Sequence, residues 1–199
     1  MTAPTLWADH AAASGRTHPI VIGLDTSVTG TGIASSAGWC ILRGYNDKKR
    51  PFTKLPHADR IAVLVRLASD IINAVGETDL VVLETPAFTR IGGGSHERSW
   101  LWWEMYRRVS LAGIPVALMT PQQRMLYATG KGRADKNAVV DAVARRWPAY
   151  ATGGNDNLAD AVVLMAAGMD AFGHALAPVP QAHRKALDAV QWPQIAGAA

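Results

Sequence analysis

Hydrophobic positions along this chain follow two periods, and together they predict strands that alternate with helices. Short β-rich runs cover residues 20–25, 32–34 and 38–45 and are separated by glycine-containing turns, which indicates an antiparallel meander. Residues 57–75 carry apolar side chains at helical spacing, so they predict an amphipathic helix with one face on the core. The chain therefore begins with a small sheet covered by a helix.

Two buried strands are predicted next, at residues 79–84 and 114–119; the run at 80–83 is continuously apolar, which is typical of a strand with both faces covered. Further helices are predicted from 95 or 99 to 111, from a Thr120-Pro121 entrance, over 135–147, and from an Asn155 or Asp156 cap to 171. This order of elements predicts an α/β fold, a mixed sheet with helices on both faces.

The length of 199 residues suits one domain with modest tails. Residues 1–18 are rich in alanine and small polar residues and are interpreted as a flexible arm. Residues 19–173 form the expected globular domain, and residues 174–199, rich in Ala, Pro and Gln, a tail or short accessory helix. The formal net charge of +4 points mildly to a polyanionic partner.

The segments that the sequence lacks indicate the compartment in which the protein is expected. The most apolar stretch, residues 161–171, is too short to cross a bilayer and contains Asp170, and the N-terminus lacks the order of a secretory signal. Cys40 is the single cysteine, so no internal disulfide can form, and its apolar setting predicts a buried strand residue without a catalytic role. We expect a cytoplasmic protein with no membrane partner.

Three acids occupy similar positions in these elements. Asp25 and Glu84 each end an apolar strand, and Asp160 lies near the start of the last helix. Separately they could be a turn residue, a strand-end charge and a helix surface residue. Together they could converge on one edge of the sheet, where clustered carboxylates need cations, and hard oxygen ligands favour Mg²⁺ or Mn²⁺. Two such ions can clamp a reacting phosphodiester.

Asp156 and Asn157 lie on roughly the helix face of Asp160, and either is a candidate fourth ligand or a helix cap.

A wider set of motifs makes a family resemblance specific. The chain resembles the RuvC family of Holliday junction resolvases from about residue 19 to 171, through IGLD and TGTGI at 22–33, VVLE at 81–84, YATGKGRADK at 127–136, and Asp160-Ala161. The resemblance implies an RNase H-like fold with a mixed five-stranded sheet. It also implies a homodimer that cuts four-way DNA junctions symmetrically with two Mg²⁺ per active site, for which Mn²⁺ is expected to substitute.

Site residues carry over from the family position by position. Asp25, Glu84 and Asp160 match three of its four metal-binding acids. The fourth falls at Asn157, where the family usually has Asp or His, and Asp156 is one residue away. Lys136 matches a basic residue that the family keeps near the scissile phosphate, so it joins the three acids as a catalytic candidate.

Several other residues are candidates for holding DNA. Lys131 and Arg133 cluster with Lys136 in a glycine loop before a helix, which suits a phosphate. Met125 stands where the family has a second lysine, and the adjacent Arg124 is the candidate replacement. Phe88 lies close to the family's base-stacking aromatic, and a basic loop around it supplies Arg90 and Arg98. The nearby tryptophans Trp100, Trp102 and Trp103 are expected to pack in the core or a dimer surface.

Competing functions remain open at this point. An RNase H-like nuclease acting on other branched DNA or on RNA/DNA hybrids would use the same acids. A sugar-kinase or actin-like ATPase also opens with a Gly-x-Asp strand, but needs a second, larger half that 199 residues do not accommodate. Asn157 in place of an acid leaves a third alternative, a junction-binding protein with weak or no cleavage.

Overall fold

One mixed sheet of five strands organises the protein, in a computed structural model that describes residues 17–86 and 94–193. Its strands are β1 (Val21–Asp25), β2 (Thr31–Ser35), β3 (Trp39–Arg43), β4 (Leu80–Glu84) and β5 (Val116–Met119). The order across the sheet is β3-β2-β1-β4-β5. The first three strands form an antiparallel meander, whereas β4 runs parallel to β1 and β5 runs parallel to β4.

Helices cover both faces of this sheet. They are α1 (His57–Val75), α2 (Ser95–Leu111), α3 (Pro121–Thr129), α4 (Lys136–Arg146), α5 (Asp156–Ala171) and α6 (Gln181–Asp188), with a short 3₁₀ turn at Phe52–Lys54. α1 and α2 pack on one face, and α5 packs on the other with α3, α4 and α6 around it. The predicted fold class, an RNase H-like α/β sheet with helices on both faces, is confirmed.

Strand alternation divides the core into two layers. On β1, Val21 belongs to the layer with α5, whereas Ile22 and Leu24 belong to the layer with α1 and α2. The same alternation places Leu80 and Val82 of β4 in the α5 layer. Because successive side chains of a strand point to opposite faces, Asp25 and Glu84 fall on the α5 side of the sheet.

Helix boundaries follow local capping chemistry closely. The predicted helix 57–75 has the predicted bounds, and α2 begins at Ser95 rather than Ser99. The Asn155 side chain accepts a hydrogen bond from the backbone N–H of Leu158, so Asn155 is the cap of α5 and Asp156 is its first residue. Cys40 lies on β3 as expected but is half-buried rather than buried.

The C-terminal segment contains a helix that packs onto the domain. α6 buries Ala186 and Leu187 against α3, and the Arg184 guanidinium pairs with the buried Asp170 carboxylate at 3.0 Å. The sequence left open whether this segment is a tail or a short accessory helix. Its described part contains the helix. Within the described ranges, no helix is long and apolar enough to cross a membrane.

Candidate active site

Asp25 and Glu84 lie side by side at the carboxyl ends of two parallel strands. Leu24 of β1 is in register with Leu83 of β4, so the next residue of each strand is an acid at the same edge. Glu84 is therefore close enough to Asp25 for the two charges to interact. Burial, and then the nearby charges of Glu84 and Asp160, hold the pKa of Asp25 well above its ordinary value. The predicted convergence of these two acids is therefore present.

Two glycines allow α5 to lie directly on the β1–β2 hairpin. A Cβ on Gly23 would stand 2.0 Å from the carbonyl oxygen of Ala161, and one on Gly32 would stand 2.0 Å from the carbonyl oxygen of Asn157. Both atoms belong to the backbone of α5, which no side chain could displace. This close approach brings Asp160, on the same helix, to the acidic edge of the sheet.

Asp160 is the third member of the cluster, and the three acids are called the carboxylate cluster below. Burial raises the pKa of Asp160 to about 7, although the neighbouring Arg124 lowers it; Glu84 and Asp156 act in the same direction as burial. The three carboxylates thus share a partly desolvated site in which their charged forms repel one another. A cation at this site would relieve that repulsion.

Arg124 supplies one such cation from the protein itself. Its Nε donates to Glu84 Oε1 at 2.5 Å, and its Nη1 donates to Asp160 Oδ1. Arg124 is 8% exposed and lies in the first turns of α3, a helix that begins at a capping box between Thr120 and Gln123. The sequence assigned Arg124 to DNA; the structure places it inside the carboxylate cluster instead of on the surface.

The two candidates for a fourth ligand have separate environments. Asp156 forms an ion pair with Lys136 Nζ, and that hydrogen bond keeps the pKa of Asp156 below its ordinary value. The Asn157 amide faces the β1–β2 turn, where its Nδ2 stands 2.9 Å from the position a Cβ on Gly30 would take. Lys136 lies at the start of α4 with an exposed side chain. The pair joins the start of α5 to the start of α4, near Asp160.

The donor chemistry of the cluster suits a hard divalent ion at one end. Asp25 and Glu84 provide adjacent carboxylate oxygens, the ligands that Mg²⁺ prefers. In residues 17–86 and 94–193, no three acidic, histidine or cysteine side chains are already arranged as a metal-binding set. Arg124 stands between two of these acids, Glu84 and Asp160.

The residues expected to hold DNA lie in more than one groove. Lys131 and Arg133 line a groove of about 760 Å³ together with Arg145 and Arg146 of α4. Arg98 lines a different groove, beside residues 27–29 and 46–48. Phe88 and Arg90 lie outside the described residues. The predicted basic loop before α4 therefore borders a basic groove, and the other contacts stay predictions.

Trp102 is a site residue that the sequence did not single out for this role. Its indole N–H donates to the backbone carbonyl of Glu84 at 2.7 Å, and its ring is buried against Trp103 and Tyr106. This contact fixes the peptide that carries the Glu84 carboxylate. The signal in the sequence was a tryptophan at helical spacing among apolar residues. Such spacing predicts that the ring packs, but it does not indicate which group accepts the indole hydrogen bond.

The raised pKa values predict how the metal-free protein responds to pH. A carboxyl whose folded pKa exceeds its ordinary value favours the folded state below that ordinary value and loses the advantage as pH rises through the folded pKa. For Asp160 this window runs from 3.8 to about 7. Across it we expect the free energy of unfolding in EDTA to fall by roughly 2–4 kcal/mol.

Urea unfolding at a series of pH values measures this loss. Asp160→Asn is the matched variant, because it removes one of the two carboxyls with a raised pKa and should make the fall between pH 4 and 7 smaller than in the wild type. A wild-type profile with the same slope as that of the variant would contradict the raised pKa of Asp160.

Comparisons with known proteins were made for the sequence and for the fold. No protein-family model and no curated protein matches the sequence. Among solved structures, the Thermus thermophilus RuvC structure is matched with a TM-score of 0.50 at 20% identity, over 81% of this chain and 99% of that chain. T. thermophilus RuvC in complex with a Holliday junction substrate is matched with a TM-score of 0.52 at 20% identity, over 82% and 100%. The chain has a RuvC-like fold.

Proposed function

We propose that this protein is a metal-dependent endonuclease that cleaves four-way DNA junctions. The observation that carries the proposal is the convergence of Asp25 and Glu84, at the carboxyl ends of two central strands, with Asp160 of α5. Carboxylates so placed bind divalent ions and phosphodiesters in concert. One of the matched RuvC structures holds a Holliday junction, which supports this substrate class.

Each residue near the cluster has a definable part in this reaction. Asp25, Glu84 and Asp160 would hold Mg²⁺, with Asp156 or Asn157 completing the ligand set. When bound, divalent ions would activate a water molecule and stabilise the departing 3′ oxygen. Lys136, exposed at the start of α4, would neutralise charge on the scissile phosphate. Hydrolysis by water needs no covalent intermediate and leaves 5′-phosphate and 3′-hydroxyl ends.

The number of ions and of subunits belongs to the same proposal. The family resemblance implies two Mg²⁺ ions per site, with Mn²⁺ able to substitute, and Arg124 in the cluster bears directly on that number. Symmetric cleavage of a four-way junction needs two active sites, hence a homodimer. The strongly exposed Trp103 and Leu111 of α2 offer an apolar surface that such a dimer would cover.

A comparison of three substrates tests the proposal. Purified protein with Mg²⁺ is expected to convert a four-way junction into two nicked duplexes by paired cuts on opposing strands. An RNA/DNA hybrid duplex and a replication fork of the same sequence serve as alternatives. Preference for either of them would favour an RNase H-like nuclease of another specificity.

Binding of the junction without cleavage is the remaining outcome. In that case Asn157→Asp, which restores an acid at the position where the family usually has one, should switch cleavage on. Continued inactivity of Asn157→Asp would mean that the missing acid is not the cause.

A further inference from the structure

Arg124 is a permanent positive charge within the carboxylate cluster. A guanidinium does not lose its proton in proteins, and its planar fork matches carboxylate geometry. Here the fork spans two acids from different elements, Glu84 of β4 and Asp160 of α5. Arg124 is 8% exposed, so little solvent screens these two pairs. It occupies the position from which a cation would bridge Glu84 and Asp160.

Charge balance limits what else the cluster can hold. A bound divalent ion favours the ionised form of all three carboxyls, which then carry three negative charges, and Arg124 returns one positive charge. The remaining two negative charges match a single divalent ion. Neighbouring residues add nothing to this sum, since Asn157 is neutral and Asp156 is paired with Lys136.

The placement of the side chains is consistent with this count of charges. The Arg124 guanidinium pairs with Glu84 and Asp160, whereas Asp25 stands beside Glu84 at the end of the neighbouring strand. An ion bound there would use the oxygens that the guanidinium leaves open. An ion that bridges Glu84 and Asp160 would instead have to expel the guanidinium from a buried position, leaving a desolvated, unpaired arginine.

We propose that Arg124 takes the place of one of the two divalent ions, so that each active site holds a single ion beside Asp25 and Glu84. Arg124 is a positioning residue in this proposal, since it holds Glu84 and Asp160 through ion pairs. The proposal rests on the proposed function, because it presumes that the carboxylate cluster binds a divalent ion at all.

Counting bound ions tests the proposal without using activity. Metal-stripped full-length protein is titrated with Mn²⁺ by calorimetry, and bound Mn²⁺ is counted independently by electron paramagnetic resonance. We expect one ion per wild-type chain. Arg124→Met, which keeps the side-chain bulk and removes the charge, should bind two ions, the first of them roughly ten-fold or more tightly than in the wild type.

Two further variants separate charge from structure. Arg124→Lys retains the positive charge and should keep the count at one. Arg184→Gln is the matched control, because Arg184 also pairs with a buried carboxylate, that of Asp170, outside the cluster. It should bind one ion with wild-type affinity.

The outcomes distinguish this inference from the proposed function. Two ions in the wild type would overturn the role of Arg124 while leaving the metal-dependent nuclease in place, and this count needs no variant to fold. An Arg124→Met protein that folds by circular dichroism and still binds one ion with unchanged affinity would overturn it as well. No bound Mn²⁺ in the wild type would overturn the metal site and, with it, the inference.

Discussion

Asp25→Asn is expected to abolish Mg²⁺-dependent cleavage of a four-way junction while leaving junction binding nearly unchanged. The amide has the size of the carboxyl group but removes the charge that would hold the ion beside Glu84. Loss of even an outer partner of a metal ligand reduces activity or affinity by about 10–100-fold, so loss of a ligand should exceed about 100-fold. Glu84→Gln should act in the same way.

Single-turnover cleavage with Mg²⁺ and gel-shift binding in EDTA measure the two effects separately. The matched control is Asp70→Asn, the same change at an exposed acid of α1 on the opposite face of the sheet. Because burial penalises the charged form of Asp25, the Asp25→Asn protein should unfold no more easily than the wild type without metal. Cleavage by either variant at the parent rate would refute the metal-site assignment.

Gly23→Ala is expected to destabilise the fold more than an ordinary overpacking substitution. The added methyl would stand 2.0 Å from the Ala161 carbonyl oxygen and 2.5 Å from the Met165 amide nitrogen, both in the backbone of α5. Overpacked cores lose about 1–3 kcal/mol, and a contact with helix backbone on a central strand should reach or exceed the upper end of that range. Such a loss is a large part of the stability of a typical domain.

Urea denaturation monitored by circular dichroism gives the free energy of unfolding. Gly132→Ala is the matched control, since the nearest atom to its new methyl, the Gln122 carbonyl oxygen, would be 3.8 Å away. A Gly23→Ala protein as stable as Gly132→Ala would mean that α5 can lift from β1 at little cost. In that case the placement of Asp160 would not depend on the glycine.

Local pattern was enough to predict the frame of the site. The apolar runs located the ends of β1 and β4 and indicated that their acids could converge on one edge, and the parallel pairing seen in the structure brings Asp25 and Glu84 together there. The helix 57–75 was predictable to the residue because its apolar face ends where Pro56 and Gly76 bound the helix.

Contacts between distant elements were not predictable in the same way. Arg124 was assigned to DNA because it is adjacent to Met125, which stands near the place of a family lysine, and nothing local indicates that its guanidinium spans two acids from other elements. The packed helix α6 lies in a segment whose composition allowed a tail as well as a helix. Such features depend on packing that no window of sequence contains.

The hydrogen bond from Trp102 to the Glu84 carbonyl links the acidic edge of the sheet to the exposed surface of α2. Trp102 is buried and holds the peptide of Glu84 at 2.7 Å, while the next residue, Trp103, is 63% exposed and stacks edge-on against it. A partner bound at Trp103 would therefore touch the ring that packs on Trp102, and only that ring would separate it from the peptide that carries the Glu84 carboxylate.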